Sequence, residues 1–187
     1  MEKNSVRYGL IAGLGVAIYQ LVLYFIGGEM IFGNFAHAAW IIYLFCMWKA
    51  VSLDKEANDG YISFKNAFGT SFIVFAIAGL IALVFQYILM TIIDPGLVDV
   101  QKEIALEAFD KMASAFGLEE GSPEYEAALA DIDKRTEPSL SQSGLGYIFM
   151  LIFGAIPSLI MAAVMKKEKP AHLQVKEDES EHLVDNQ

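Results

Sequence analysis

Four long stretches without a charged side chain constrain this chain most, because each is long enough to cross a lipid bilayer. Tyr8–Ile26 lies between Arg7 and Glu29, and at 1.5 Å per residue it covers a hydrocarbon core of roughly 30 Å. Met30–Trp48 runs up to Lys49, and Leu145–Met165 stops at the pair Lys166-Lys167. Asn66–Ile93 continues for 28 residues without a charge, more than one crossing needs, which predicts tilt or extension into the interface. In lipid the backbone must satisfy its own polar groups, so each stretch is expected to be helical. A barrel would show short alternating strands instead.

Composition agrees: hydrophobic residues make up 55 % of the 187, too many for an ordinary soluble surface. The single cysteine, Cys46, lies inside the second stretch, so it forms no intramolecular disulfide and says nothing of redox compartment. Lys3 and Arg7 give a basic start, but the first apolar stretch is too long for the core of a cleaved leader. The small-x-small triplet Ala36-His37-Ala38 follows too late to serve as its cleavage site. A retained helix is expected.

Lys and Arg are distributed by side. The N-terminus, the loop between stretches two and three, and the C-terminal tail hold nine of the 13 basic residues. The positive-inside rule then predicts both termini in the cytoplasm. Aromatic residues fit interfacial belts, with Tyr8, Trp48, Tyr61 and Phe64 at the inner boundary and Tyr24, Trp40, Tyr87 and Tyr147 towards the outer one.

The expected fold class is all-α: a polytopic membrane protein with four transmembrane helices over about 8–27, 30–49, 66–93 and 145–165. Together with its outer insertion this makes a domain over 1–167, followed by a disordered cytoplasmic tail at 168–187. The insertion, 94–137, carries twelve of the 23 acidic residues against four basic ones. Asp94-Pro95-Gly96 is expected to break the third helix. Leu97, Val100, Ile104, Ala108, Met112 and Phe116 then repeat as one face of a helix ending at Gly117. Ser122-Pro123-Glu124 is a helix start, followed by Tyr125, Ala128, Leu129 and Ile132 at helical spacing. These predict an acidic extracytoplasmic helical hairpin. It reads first as a solvated cap on the bundle, and alternatively as an acidic vestibule that concentrates cations or docks a basic partner. Glu119-Glu120 and Asp131-x-Asp133 could touch a hard cation, but nothing there resembles a calcium loop.

Within the apolar stretches the polar residues are few: Gln20, Asn34, His37 and Gln86, with Glu29 just outside. A relay from Glu29 to His37 is conceivable, but one histidine and no buried carboxylate make a poor proton pathway. Interhelical hydrogen bonding by Gln20 and Gln86 is the simpler reading. Gly9-x-x-x-Gly13, Ala78-x-x-x-Ala82, Gly154-x-x-x-Ser158 and Ser158-x-x-x-Ala162 allow close helix approach. Pro157 should kink the fourth helix. His172 and His182 in the tail are a weak metal hint.

Between the second and third stretches, Asn58-Asp59-Gly60 is a turn signal, Ser63 can cap the third helix, and Lys65 can reach headgroups. This short acidic turn, then Gly60-Tyr61-Ile62-Ser63-Phe64-Lys65-x-Ala67-Phe68 leading into an apolar helix, resembles a family of small bacterial membrane proteins, a domain of unknown function. The long loop opening at Asp94-Pro95 is similar too. The resemblance covers about residues 5–167 and implies four spans in a bacterial inner membrane. It implies no activity and carries over no functional residue.

No nucleophile–base or metal-ligand set is evident, so an enzyme is not expected, and no catalytic, cofactor-binding or metal residue is assigned. The expected role is a structural, accessory or interaction subunit; the alternative is a small oligomeric transporter or channel with an acidic outer vestibule. Partners expected are the lipid bilayer and a membrane-protein partner or further copies of the chain, with no cofactor and no nucleic acid.

Overall fold

The computed structural model describes residues 2–136 and 139–170. Six α-helices occupy almost all of them: α1 (Glu2–Ile26), α2 (Ala39–Glu56), α3 (Phe64–Ile88), α4 (Leu97–Phe116), α5 (Pro123–Thr136) and α6 (Leu140–Met165). Among the described residues there is no strand, and the one extended pairing is an isolated bridge between Ile62 and Lys167. Four helical segments are long and apolar enough to cross a membrane: Lys3–Ile26, Asn34–Glu56, Phe64–Ile93 and Ser143–Met165. Residues 171–187, with His172 and His182, lie outside the described residues, as does Glu137 at the end of the expected insertion.

The second helix differs from expectation at both ends. Two short 3-10 helices, Gly28–Ile31 and Asn34–Ala38, take up the beginning of the apolar stretch, and α2 starts only at Ala39. Gly28, Gly33 and Asn34 are weak α-helix formers, which favours these tighter turns. At its other end α2 passes Lys49 and runs on to Glu56, because Asp54 and Lys55 find partners inside the fold. The third segment also extends: α3 continues through a π-helical turn, Leu89–Ile93, in which the Asp94 N–H bonds the Leu89 carbonyl at 2.8 Å.

The four long helices run up and down. Asn4, Asp54 and Thr70 meet at one end, while at the other the Tyr24 hydroxyl donates to Asp94 Oδ2 at 3.2 Å. Hence α1 and α3 are parallel, with α2 and α6 antiparallel to them. α3 is the hub, packed by α1, α2 and α6. Lipid is as apolar as the side chains, so helix association rests on close van der Waals fit and interhelical hydrogen bonds. The small residues supply that fit. A Cβ built on Gly9 or Gly13 would come within 2.8 Å and 2.6 Å of Ile77 and Ile81 on α3. On α6 the same logic runs in steps of one turn: Met150 lies against Gly79, Gly154 against Phe75, and the Ser71 hydroxyl faces the Ser158 carbonyl at 3.4 Å. Ala162 and Ala67 share the next cluster. The Gly9–Gly13 and Gly154–Ser158–Ala162 steps are therefore taken up by packing within one chain.

Phe75 sits at the middle of the core. Its ring stacks on Trp40 at 5.7 Å and meets Tyr43 at 5.2 Å, among fully buried Met47, Val74 and Ala78. Pro157 lies inside α6 without ending it, and the Ser158 hydroxyl donates to the Gly154 carbonyl at 2.8 Å.

Gly154 and Gly146 make a controlled comparison on one helix. A methyl at Gly154 would meet the buried Phe75 ring, whereas nothing lies within 4 Å at Gly146. Gly154→Ala is expected to destabilise by about 1–3 kcal/mol through overpacking, and Gly146→Ala to be neutral or slightly stabilising. Thermal unfolding of the detergent-solubilised variants measures the difference, and equal melting temperatures would refute the packing account.

Candidate functional site

The polar groups gather at the end where α1, α3 begin and α2, α6 finish. Asp54, in the last turn of α2, is 1 % exposed, so the expectation of an interior without a carboxylate is corrected. Its Oδ1 accepts from Asn4 Nδ2 of α1 at 2.8 Å, and its Oδ2 accepts from Thr70 Oγ1 of α3 at 2.6 Å. Asn58 Nδ2 donates to the Asp54 carbonyl at 2.6 Å and so closes the end of α2. One side chain thereby fastens three helices through charge-assisted hydrogen bonds, which are stronger than neutral ones. Both oxygens are taken by neutral donors of the same chain, which makes Asp54 a fastening group.

The fourth helix joins through the neighbouring residue. Lys55 Nζ donates to the carbonyl of Met165, the last residue of α6, at 2.9 Å, where a cation complements both the free carbonyls and the helix dipole. The turn between α2 and α3 places Asp59 at φ 54 and Gly60 at φ 80, a left-handed pair suited to aspartate and glycine. The chain then pairs with the segment after α6: Ile62 and Lys167 exchange both backbone hydrogen bonds at 2.9 Å. Lys167 Nζ lies 5.0 Å from the centre of the Tyr61 ring. Ser63 caps α3, its Oγ accepting from Asn66 N at 3.2 Å. The turn, the start of α3 and the residues after α6 line a cavity of about 520 Å³.

The polar residues singled out from the sequence do not assemble into a relay. Glu29, Asn34 and His37 are exposed, in the two 3-10 helices. Gln86 Nε2 approaches Met90 Sδ at 3.9 Å on its own helix, and Gln20 Oε1 is buried without a hydrogen-bond partner among the described residues. No three His, Cys, Asp or Glu side chains of the described residues come together as a metal set. Asp131 pairs with Arg135 at 2.7 Å and Asp133 with Lys102 at 2.8 Å. Those acids are therefore answered by cations already present.

α4 and α5 form the second candidate region. The Tyr125 hydroxyl donates to Asp110 Oδ1 at 2.7 Å, and its ring packs on Phe109 at 5.1 Å. The Asp110 hydrogen bond, then desolvation, then the charges of Asp110, Glu120 and Glu126 push the hydroxyl up from 10.0 to about 12. Ser122 Oγ caps α5 by accepting from Tyr125 N at 3.2 Å, and Gly117 ends α4 at φ 69. The packed face of α4 is the expected one only in its first half, where Leu97 is buried and Val100 and Ile104 are half-buried. Leu97, Phe109 and Ala113 are buried, whereas Ala108, Met112 and Phe116 are exposed. Leu97 packs on the bundle beside Gly28 and Ile31, and Phe109 on α5, so α4 changes partner along its length.

The four long apolar helices have the length and composition of a multi-pass helical membrane protein. The chain matches the family described as a protein of unknown function, DUF4199, over residues 7–167, and it belongs to that family. No curated protein and no solved structure matches it.

Removing the Asp54 carboxylate strands Asn4 and Thr70. Asp54→Ala is expected to cost about 2–4 kcal/mol and Thr70→Val about 1–2 kcal/mol. A double-mutant cycle between them should show coupling, and additive losses would refute the direct bond. For Tyr125 the folded-state value lies above the unfolded one. Its hydrogen bond therefore stabilises the α4–α5 contact fully below pH 10 and is lost as pH rises towards about 12. Ultraviolet titration of tyrosinate should show Asp110→Asn moving that transition back towards 10.0; an unmoved transition would refute it.

Proposed function

We propose that this chain is a multi-pass protein of a bacterial inner membrane, with both termini in the cytoplasm. In this reading it serves as a structural or accessory subunit, and α4 and α5 are an acidic hairpin presented on the outer side to a basic membrane-protein partner. Sidedness is supported by the nine basic residues that fall on one side of the spans.

The observation that carries the reading is the outer row of α4. Met112 is 53 % and Phe116 84 % exposed, one turn apart on an otherwise acidic helix, in a pair already held by Lys102–Asp133 and Tyr125–Asp110. An apolar row edged by carboxylates suits a partner helix with an apolar seam and basic flanks. Anionic headgroups would be repelled by the same acids. A solitary transporter is disfavoured by the filled interior, in which Met47, Val74, Phe75 and Ala78 are fully buried.

A photoreactive phenylalanine at position 116, irradiated in native membranes, tests this. One stoichiometric heterologous adduct is expected, weakened by Glu119→Lys with Glu120→Lys. Adducts to lipid or to the chain itself alone, with ion flux from the purified oligomer in liposomes, would overturn it in favour of a transporter. A reporter fused after Gln187 should be active only if it works in cytoplasm.

A further inference from the structure

The cavity at the Asp54 end is lined by Asp59, Tyr61, Asn66, Lys167, Glu168 and Lys169, among others. Its depth is set by the helices. α6 stops at Met165 and α3 starts at Phe64, so the cavity opens where the apolar spans give way to headgroups. An apolar cluster of Val51, Ile62, Ala67 and Ala162 lies against that turn. At about 520 Å³ it is within the range of small-molecule sites.

The charges lining it are balanced: two ammonium groups, Lys167 and Lys169, and two carboxylates, Asp59 and Glu168. A site for a plain anion would carry surplus positive charge. Lys167 is preorganised, because its backbone is bonded in both directions to Ile62 and its ammonium lies over the Tyr61 ring. The first turn of α3, a 25-residue helix, contributes its positive dipole end through Ser63 and Asn66. Asp59 is held in place by the left-handed turn. Cations and anions thus line one cavity, at the level where the apolar helices end.

We propose that this cavity binds a phosphoethanolamine group, the phosphate against Lys167, Lys169 and the start of α3, the ammonium against Asp59 and Glu168. The source is the headgroup of a phosphatidylethanolamine molecule in the surrounding leaflet. The site does not depend on which side of the membrane it faces.

The test is lipid retention by the full-length protein in mild detergent, read by native mass spectrometry. Phosphatidylethanolamine and phosphatidylglycerol with identical acyl chains are offered together. Wild type is expected to retain the former preferentially. Lys167→Gln with Lys169→Gln should lower that retention about tenfold, the scale of one charge-assisted hydrogen bond. Lys166→Gln, which removes an exposed charge outside the cavity, should leave it unchanged. Asp59→Asn with Glu168→Gln should shift the preference towards phosphatidylglycerol, and asparagine tolerates the left-handed turn; this pair decides should the lysine variant fail to fold. Chain-free glycerophosphoethanolamine separates the sources: displacement of lipid at comparable concentration would assign the cavity to a soluble phosphoamine and overturn the lipid source. Equal retention of the two lipids by wild type, or a lysine variant indistinguishable from Lys166→Gln, would overturn the site altogether.

Discussion

Phe75 fills the space that Gly154 leaves open, and this brings α6 onto α3. The same relation recurs where Gly9 and Gly13 receive Ile77 and Ile81. In lipid no expulsion of water drives helices together, so a bundle must gain its cohesion from backbone approach and side-chain fit. With α3 as the common surface, each neighbour needs only one smooth stripe. Everything else follows from that proximity, including the meeting of helix ends that lets a single carboxylate reach two helices besides its own.

The local features were legible because they are chemically local. The length of the uncharged runs, the break at Asp94-Pro95-Gly96, the cap at Ser63, the turn at Asp59-Gly60 and the stop at Gly117 each depend on residues a few positions apart. Asp54 was not legible. Standing beside Lys55 and Glu56 it reads as the solvated end of a helix, and its burial depends on Asn4 and Thr70, brought near only by the finished bundle. Lys55 likewise finds Met165 across 110 residues of chain. Periodicity misplaced the second half of the α4 face for a different reason. Leu97 and Phe109 lie about 120° apart around the helix, since one meets the bundle and the other meets α5. A pattern search that assumes one partner per helix carries the row that is right at Leu97 on to Met112 and Phe116, where it is wrong.

The two ends of the bundle are built differently. At the Asp54 end every element is tied to another: α2 to α1 and α3 through the carboxylate, α2 to α6 through Lys55, and the turn to the segment after α6 through the Ile62–Lys167 bridge. At the Asp94 end the chain departs into α4 and α5; α4 meets the bundle at Leu97 and Val98, and further along the two helices hold each other. One end is a closed joint and the other a projecting platform. That asymmetry is what the two proposals rest on, lipid recognition at the first and protein recognition at the second.

The position of the Asp54 partners along the chain has a consequence for biogenesis. Asn4, Asp54 and Thr70 all precede α4, so a chain emerging from the ribosome can complete the three-helix fastening before the acidic insertion or α6 has been made. α6 then arrives at a finished surface, its small residues sliding onto α3 and its last carbonyl meeting Lys55. The partners that fasten the first three spans are thus available first in synthesis, and those that α6 offers to α3 and Lys55 come last.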